Sequence, residues 1–247
     1  MNLSALRRCA AFGLMLCILF MTACVRGRGE QIIPEEIPAE VCEVPAESAA
    51  GLPTAPVTVY GEAVESYLCP LDDYSWERTH TPEFVMIHFT SAVVEHREDP
   101  YNNTYLRSLF LDGGISVHYL IQRDGTVYCY MPENREAWHA GVGEWQEDPK
   151  YSNTMNHYAI GIELAAIGSA ADMEGYLSAG AYETLDENLI GFTEAQYASL
   201  DGLITDLCSR YGIPKDEEHI IGHAAYSPEK NDPGELFDWN RILPGEK

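Results

Sequence analysis

Basic residues are scarce in this chain. Fifteen Lys and Arg stand against 39 Asp and Glu, a formal net charge of −24 over 247 residues. A nucleic-acid-binding surface needs the opposite balance, so no nucleic-acid partner is expected. Anchorage on anionic lipid by a polybasic patch is excluded for the same reason. The apolar run 10–21 is too short to span a bilayer comfortably, and no internal repeat is present. The seven cysteines follow no metal-cluster spacing and none reads as a nucleophile. The acidic balance speaks for solubility and little else. Hydrophobic residues make up 46 % of the chain, enough for a packed core.

The N-terminus is not part of that core. Arg7 and Arg8 precede the apolar run, which ends in Met21-Thr-Ala-Cys24. A charged start, a short apolar stretch and a small residue before the cut describe an export signal. With Cys24 next, the segment resembles a bacterial lipobox, in which that cysteine is lipidated and becomes the new N-terminus. Residues 1–23 are therefore read as a lipoprotein signal peptide. Two acyl chains at Cys24 would anchor the protein without a basic patch. The plainer reading is an ordinary signal peptide with an incidental cysteine. Residues 24–56, rich in Pro, Glu and Ala, bury little surface and read as a tether. A folded domain is expected over 57–247. Export permits disulfides among Cys42, Cys69, Cys129 and Cys208, but spacing selects no pairing. Cys208 falls on a helical core face.

Within the domain, strand and helix signals alternate. The continuous apolar run 84–90 predicts a strand buried on both faces. Residues 103–111 predict a short helix. Runs 115–122 and 126–131 flank Arg123-Asp124-Gly125, a hairpin signal. Residues 158–164 predict another strand, and 168–191 a long connection. Thr193 with Gln196 forms a capping box, and Phe192 can staple onto Tyr197. Apolar positions 197, 200, 204, 207 and 211 follow the helical period until Gly212 and Pro214 stop it. Residues 220–223 predict a short final strand. The sum is an α/β fold, a central mixed β-sheet flanked by helices.

Polar residues interrupt these apolar segments. His88 sits in the strand 84–90, Glu163 in Ile160-Gly-Ile-Glu163-Leu, and His223 ends the last strand. Lys230-Asn-Asp232-Pro-Gly follows. Each has an ordinary reading by itself: a hydrogen-bonded core histidine, an exposed strand glutamate, a turn aspartate. Together they suit a metal hydrolase, since two histidines and a carboxylate hold zinc with a position left for water. A further carboxylate can then take that water's proton. Ala159, Gly161 and Glu163 share one strand face, and small neighbours leave room for a substrate.

These residues, with Met86-Ile-His-Phe-Thr90, Ser116-Val-His-Tyr-Leu-Ile121, Arg123-Asp-Gly-Thr126, Ala137-Trp-His-Ala-Gly141, Asn156 and Ile221-Gly-His223, occur in one order over roughly 80–242. That order resembles the zinc-dependent N-acetylmuramoyl-L-alanine amidases, which share a fold with peptidoglycan recognition proteins and phage lysozyme-type amidases. The resemblance implies His88, His223 and Asp232 as zinc ligands, Glu163 as general base and Lys230 as the positive group near the reacting carbonyl. It implies Trp138 and His139 beside the substrate cleft, while His118 reads as structural. Asp232 stands where the phage branch has cysteine, and Val117 where it has tyrosine, so the chain is more similar to the Glu/Asp branch. The implied partner is peptidoglycan or a muropeptide, cut between muramic acid and L-alanine by a monomer held in the cell envelope through its lipid anchor. Two alternatives stay open: a non-catalytic peptidoglycan-binding lipoprotein on the same fold, and a zinc amidase or peptidase acting on stem peptides.

Overall fold

The computed structural model describes residues 65–66, 69–92, 96–178, 180–243 and 245. The expected leader and tether, Cys24 included, lie outside the described residues. The chain runs β1 (Glu65–Ser66), α1 (Leu71–Tyr74), β2 (Ser75–Glu77), β3 (Phe84–Phe89), α2 (Asn103–Asp112), β4 (Tyr119–Ile121), β5 (Val127–Cys129), β6 (Arg135–Ala137), β7 (Ala159–Leu164), α3 (Glu194–Tyr211), β8 (Ile220–Gly222) and α4 (His223–Tyr226). Six strands form one mixed sheet in the order β1-β5-β4-β7-β3-β8, and β2 pairs with β6 separately. The α/β fold with a central mixed sheet is as the sequence predicts.

The apolar runs explain the centre of the sheet. Every residue of β3 and β7 is buried, which is what continuous rather than alternating hydrophobicity requires. β3 lies parallel to both β7 and β8, and β4 parallel to β7. β4 and β5 form the expected antiparallel hairpin, closed by the Gln122 N–H donating to Thr126 O. Its strands are shorter than predicted. The Ser116 N–H bonds to Trp138 O instead of joining the hairpin. The β2–β6 pair was not legible, because three-residue strands carry too few positions to show a period.

α3 covers one face. Thr193 and Gln196 cap it reciprocally, and Gly212 ends it in the left-handed conformation, φ 71°. Phe192 packs on Tyr197 as a staple should. Leu200, Leu203, Ile204 and Leu207 pack on Val85, Ile87, Ile160 and Ile162 of the sheet, with Cys208 at the edge of that cluster. On the other side, Leu106 and Phe110 of α2 pack with Leu120 and Tyr130. Among the described residues no helix is long and apolar enough to cross a membrane. The carboxyl ends of β3, β7 and β8 lie together, the usual place for a site in a parallel sheet.

Candidate active site

His88 and Glu163 are register partners on β3 and β7, so their side chains leave the sheet side by side on one face. His223 follows directly on β8, as the first residue of α4. Asp232 arrives on the next loop, fixed by the Ala224 N–H donating to Asp232 O at 2.9 Å. The three ligands expected from the sequence meet closely. His88 Nδ1 lies 2.8 Å from Asp232 Oδ2 and 3.1 Å from His223 Nδ1, and His223 Nδ1 lies 3.1 Å from the same oxygen.

The donor set fits a metal ion. His223 Nε2 donates to Ala140 O at 3.0 Å, so its Nδ1 presents a lone pair. His88 Nε2 lies 3.1 Å from His139 Nδ1; when it donates there, its own Nδ1 is also a lone pair. Two nitrogen lone pairs and a carboxylate oxygen then converge, an arrangement that calls for a cation rather than a shared proton. The charges agree. Burial, above the raising effect of the Asp232 contact, holds His88 below the usual histidine range, and neutral imidazole is the ligating form. Burial works against ionisation of Asp232, but the two rings beside it keep its carboxyl well below the usual range.

Glu163 is buried beside this triad, and its Oε2 has no hydrogen-bond partner. Burial, then the charge of Asp232, push its carboxyl well above the usual range, while Lys230 pulls the other way. Lys230 itself is exposed, and its charge reaches both Glu163 and His88.

The neighbouring residues sort differently from the sequence reading. His139 is buried behind His88, with its backbone N–H and that of Ala140 held by Asn156 Oδ1 at 3.0 and 2.8 Å. Its ring lies over Gly161, where a Cβ would come within 2.7 Å of it. The small face of β7 therefore makes room for His139 and not for a substrate. Trp138 packs on Tyr74 and Trp76, with ring centroids 6.5 and 5.3 Å away, and no ring contact joins it to the triad among the described residues. His118 is structural, as expected. It accepts the Gly161 N–H at 3.0 Å and lies 3.0 Å from Arg78 Nη2. Burial and then Arg78 push it down to about 3.

Two residues escaped the sequence reading. Asp172, in the long connection, accepts the N–H of Ser169 at 2.9 Å and of Glu235 at 3.2 Å, and Asn231 Nδ2 donates to its backbone carbonyl. It pins the loop that carries Asp232. The signal was present as Ser169-Ala-Ala-Asp172, a capping-box spacing. Tyr176, half exposed on the same connection, is close enough to feel the charges of Asp232 and Glu163. Its position follows from the fold of the connection, which has no periodicity to read.

Known proteins are similar to this chain. The family described as N-acetylmuramoyl-L-alanine amidase matches residues 78–235. The 1,6-anhydro-N-acetylmuramyl-L-alanine amidase AmpD of Haemophilus influenzae is 36 % identical over 151 residues, 60 % of this chain and 67 % of that protein. AmpD of Citrobacter freundii is 34 % identical over 52 % of this chain and 55 % of its own length. N-acetylmuramoyl-L-alanine amidase AmiD of Escherichia coli is 26 % identical over 77 % and 65 %. The E. coli AmiD structure, solved with anhydro-N-acetylmuramic acid-L-Ala-D-γ-Glu-L-Lys, superposes with a TM-score of 0.50 at 27 % identity, over 66 % of this chain and 56 % of that one. The chain thus spans little more than half to two thirds of the length of these relatives. Because the family match covers well over half of the chain and includes His88, Glu163, His223, Lys230 and Asp232, the chain belongs to the N-acetylmuramoyl-L-alanine amidase family.

Proposed function

We propose that the protein is a zinc hydrolase that cuts the amide bond between N-acetylmuramic acid and L-alanine in peptidoglycan or its muropeptide fragments. The observation that carries this reading is the convergence of His88 Nδ1, His223 Nδ1 and Asp232 Oδ2 beside a buried, unpartnered Glu163. His88, His223 and Asp232 hold the ion. Zinc, when bound, supplies a Lewis acid for the lactyl carbonyl and lowers the pKa of water. Glu163 takes the proton of the attacking water; burial makes its carboxylate a stronger base than a solvated glutamate. The bond from the carbonyl carbon to the L-alanine nitrogen breaks, and Glu163 returns the proton to the departing amine. Lys230 places positive charge where the carbonyl oxygen becomes negative. His139 orients His88 from behind, and the exposed Trp76 ring, with Trp138 packed against it, offers an apolar flank for a sugar or stem peptide.

Export with lipidation at Cys24, a 24–56 tether and attachment to the envelope membrane complete the proposal, and the apolar run before Ala23-Cys24 supports them. The test is incubation of the purified chain with defined muropeptides and mass spectrometry of the products. Release of a free L-alanine amine together with a muramic acid sugar is expected. Cleavage within the stem peptide, or binding without cleavage, would replace this reading with one of the two alternatives.

A further inference from the structure

We propose that His80, Glu136 and His157 form a second binding site for a divalent transition-metal ion of the zinc class, separate from the His88–His223–Asp232 triad, where the ion staples three chain segments. One ligand atom from each residue lies within 4.8 Å of the other two. His80 follows β2, Glu136 is the central residue of β6, and His157 ends the turn Met155–His157. Nothing in the amidase chemistry uses them.

The three side chains are already oriented. Glu136 is buried, and its Oε1 accepts the Thr79 N–H at 2.9 Å and the Thr79 hydroxyl at 3.2 Å. Its Oε2 meets His157 Nδ1. The His157 ring stacks on Trp76, centroids 5.3 Å apart. The His80 ring rests on Tyr158 at 4.7 Å and lies 5.6 Å from His157. Both rings keep an open edge, with side chains 43 and 33 % exposed. His80 Nδ1 is 3.8 Å from Glu136 Oε1, too far for a hydrogen bond. One histidine meets the carboxylate directly, and the other is held beside it by its Nδ1, 2.9 Å from Thr79 Oγ1, so both rings stand where a cation would bridge them to Glu136. Two imidazoles and one carboxylate suit zinc, copper or nickel, with solvent completing the shell. Contacts that fix ligand orientation in advance are the outer shell that such sites need. Arg78 places a competing positive charge near Glu136, so this site is expected to bind more weakly than the triad. Filling it would tie the β2–β6 pair, which carries Trp76, to the turn before β7.

The test is zinc stoichiometry of the full chain after equilibrium dialysis at micromolar free zinc, read by mass spectrometry, with thermal melts alongside. Wild type is expected to bind about two ions and His223→Ala about one, and zinc should still raise the melting temperature of His223→Ala by mass action. Adding His80→Ala, or His157→Gln, which can still bond to Glu136, should abolish the remaining ion and that rise. In the otherwise wild-type chain, His80→Ala should lose one ion and keep its hydrolysis. A single ion in wild type with none in His223→Ala would overturn the second site and leave the first standing. Unchanged stoichiometry in both His80→Ala and His157→Gln would overturn it as well.

Discussion

At Glu163 the buried Oε2 has no partner, and a buried group left unsatisfied costs roughly 1–3 kcal/mol. The sign of its pH effect follows from the raised pKa. A carboxyl with a folded pKa above its unfolded value lends stability at low pH and withdraws it as pH rises through the folded pKa. Glu163→Gln should therefore raise the stability of the metal-free protein at neutral pH, and the difference should close below about pH 4, where both states are neutral. Denaturant titrations at the two pH values check this; no gain at neutral pH would show that the cost is met elsewhere. The same variant should keep its metal and lose roughly 10²–10⁴-fold in turnover. Lys230→Ala should cost roughly 10²–10³-fold in turnover. It should also move the acid limb of kcat/KM to higher pH, since Lys230 is the charge that lowers the Glu163 pKa. An unmoved limb would separate the two residues.

At the scale of elements, β7 and the 137–141 segment fit only with glycine at 161. Gly161→Ala would press a methyl into the His139 ring, 2.7 Å away, and so disturb the nitrogen behind His88. The expected outcome is lower metal affinity with a retained fold, read by zinc titration and circular dichroism. Wild-type affinity would mean that the His139–His88 contact does not orient the ligand. α3 makes a different prediction. Leu203 is fully buried against the sheet, so Leu203→Ala should cost about 2–5 kcal/mol. Thr193→Ala, which removes the cap, should cost about 1 kcal/mol. Chemical denaturation distinguishes the two, and neither should alter metal stoichiometry. β3, β7 and α3 were legible because their hydrophobic pattern spans six residues or more. β2 and β6 were not, because short strands are set by their partners. The hairpin ends shifted for a related reason, since the Ser116 N–H found Trp138 O.

For the whole molecule, two distant stretches of chain must meet before a metal can bind, because His88 stands 135 positions before His223, and Asp232 follows His223 by nine. Removal of metal should therefore abolish hydrolysis and lower the melting temperature, since an ion that binds only the folded state stabilises it. Full activity after chelation would sink the zinc reading. The N-terminal proposal is tested in the same chain by labelling with fatty acid in a bacterial host. Label on wild type and none on Cys24→Ser is expected, with hydrolysis unchanged in both.

The order of residues along the chain carried the mixed α/β class, the capped helix α3 and the five polar positions at the triad and beside it. These are local patterns: a hydrophobic period, a capping box, a charged or ring residue set in an apolar strand. Which nitrogen of each ring faces Asp232, why residue 161 is glycine, where Trp138 points and what holds the Asp232 loop were decided only in three dimensions. Each depends on groups from separate elements meeting: His223 on Ala140 O, His139 over Gly161, Trp138 against Trp76, Asp172 under Glu235. Such meetings follow from sheet order and loop path, and no spacing along a single strand or helix encodes them.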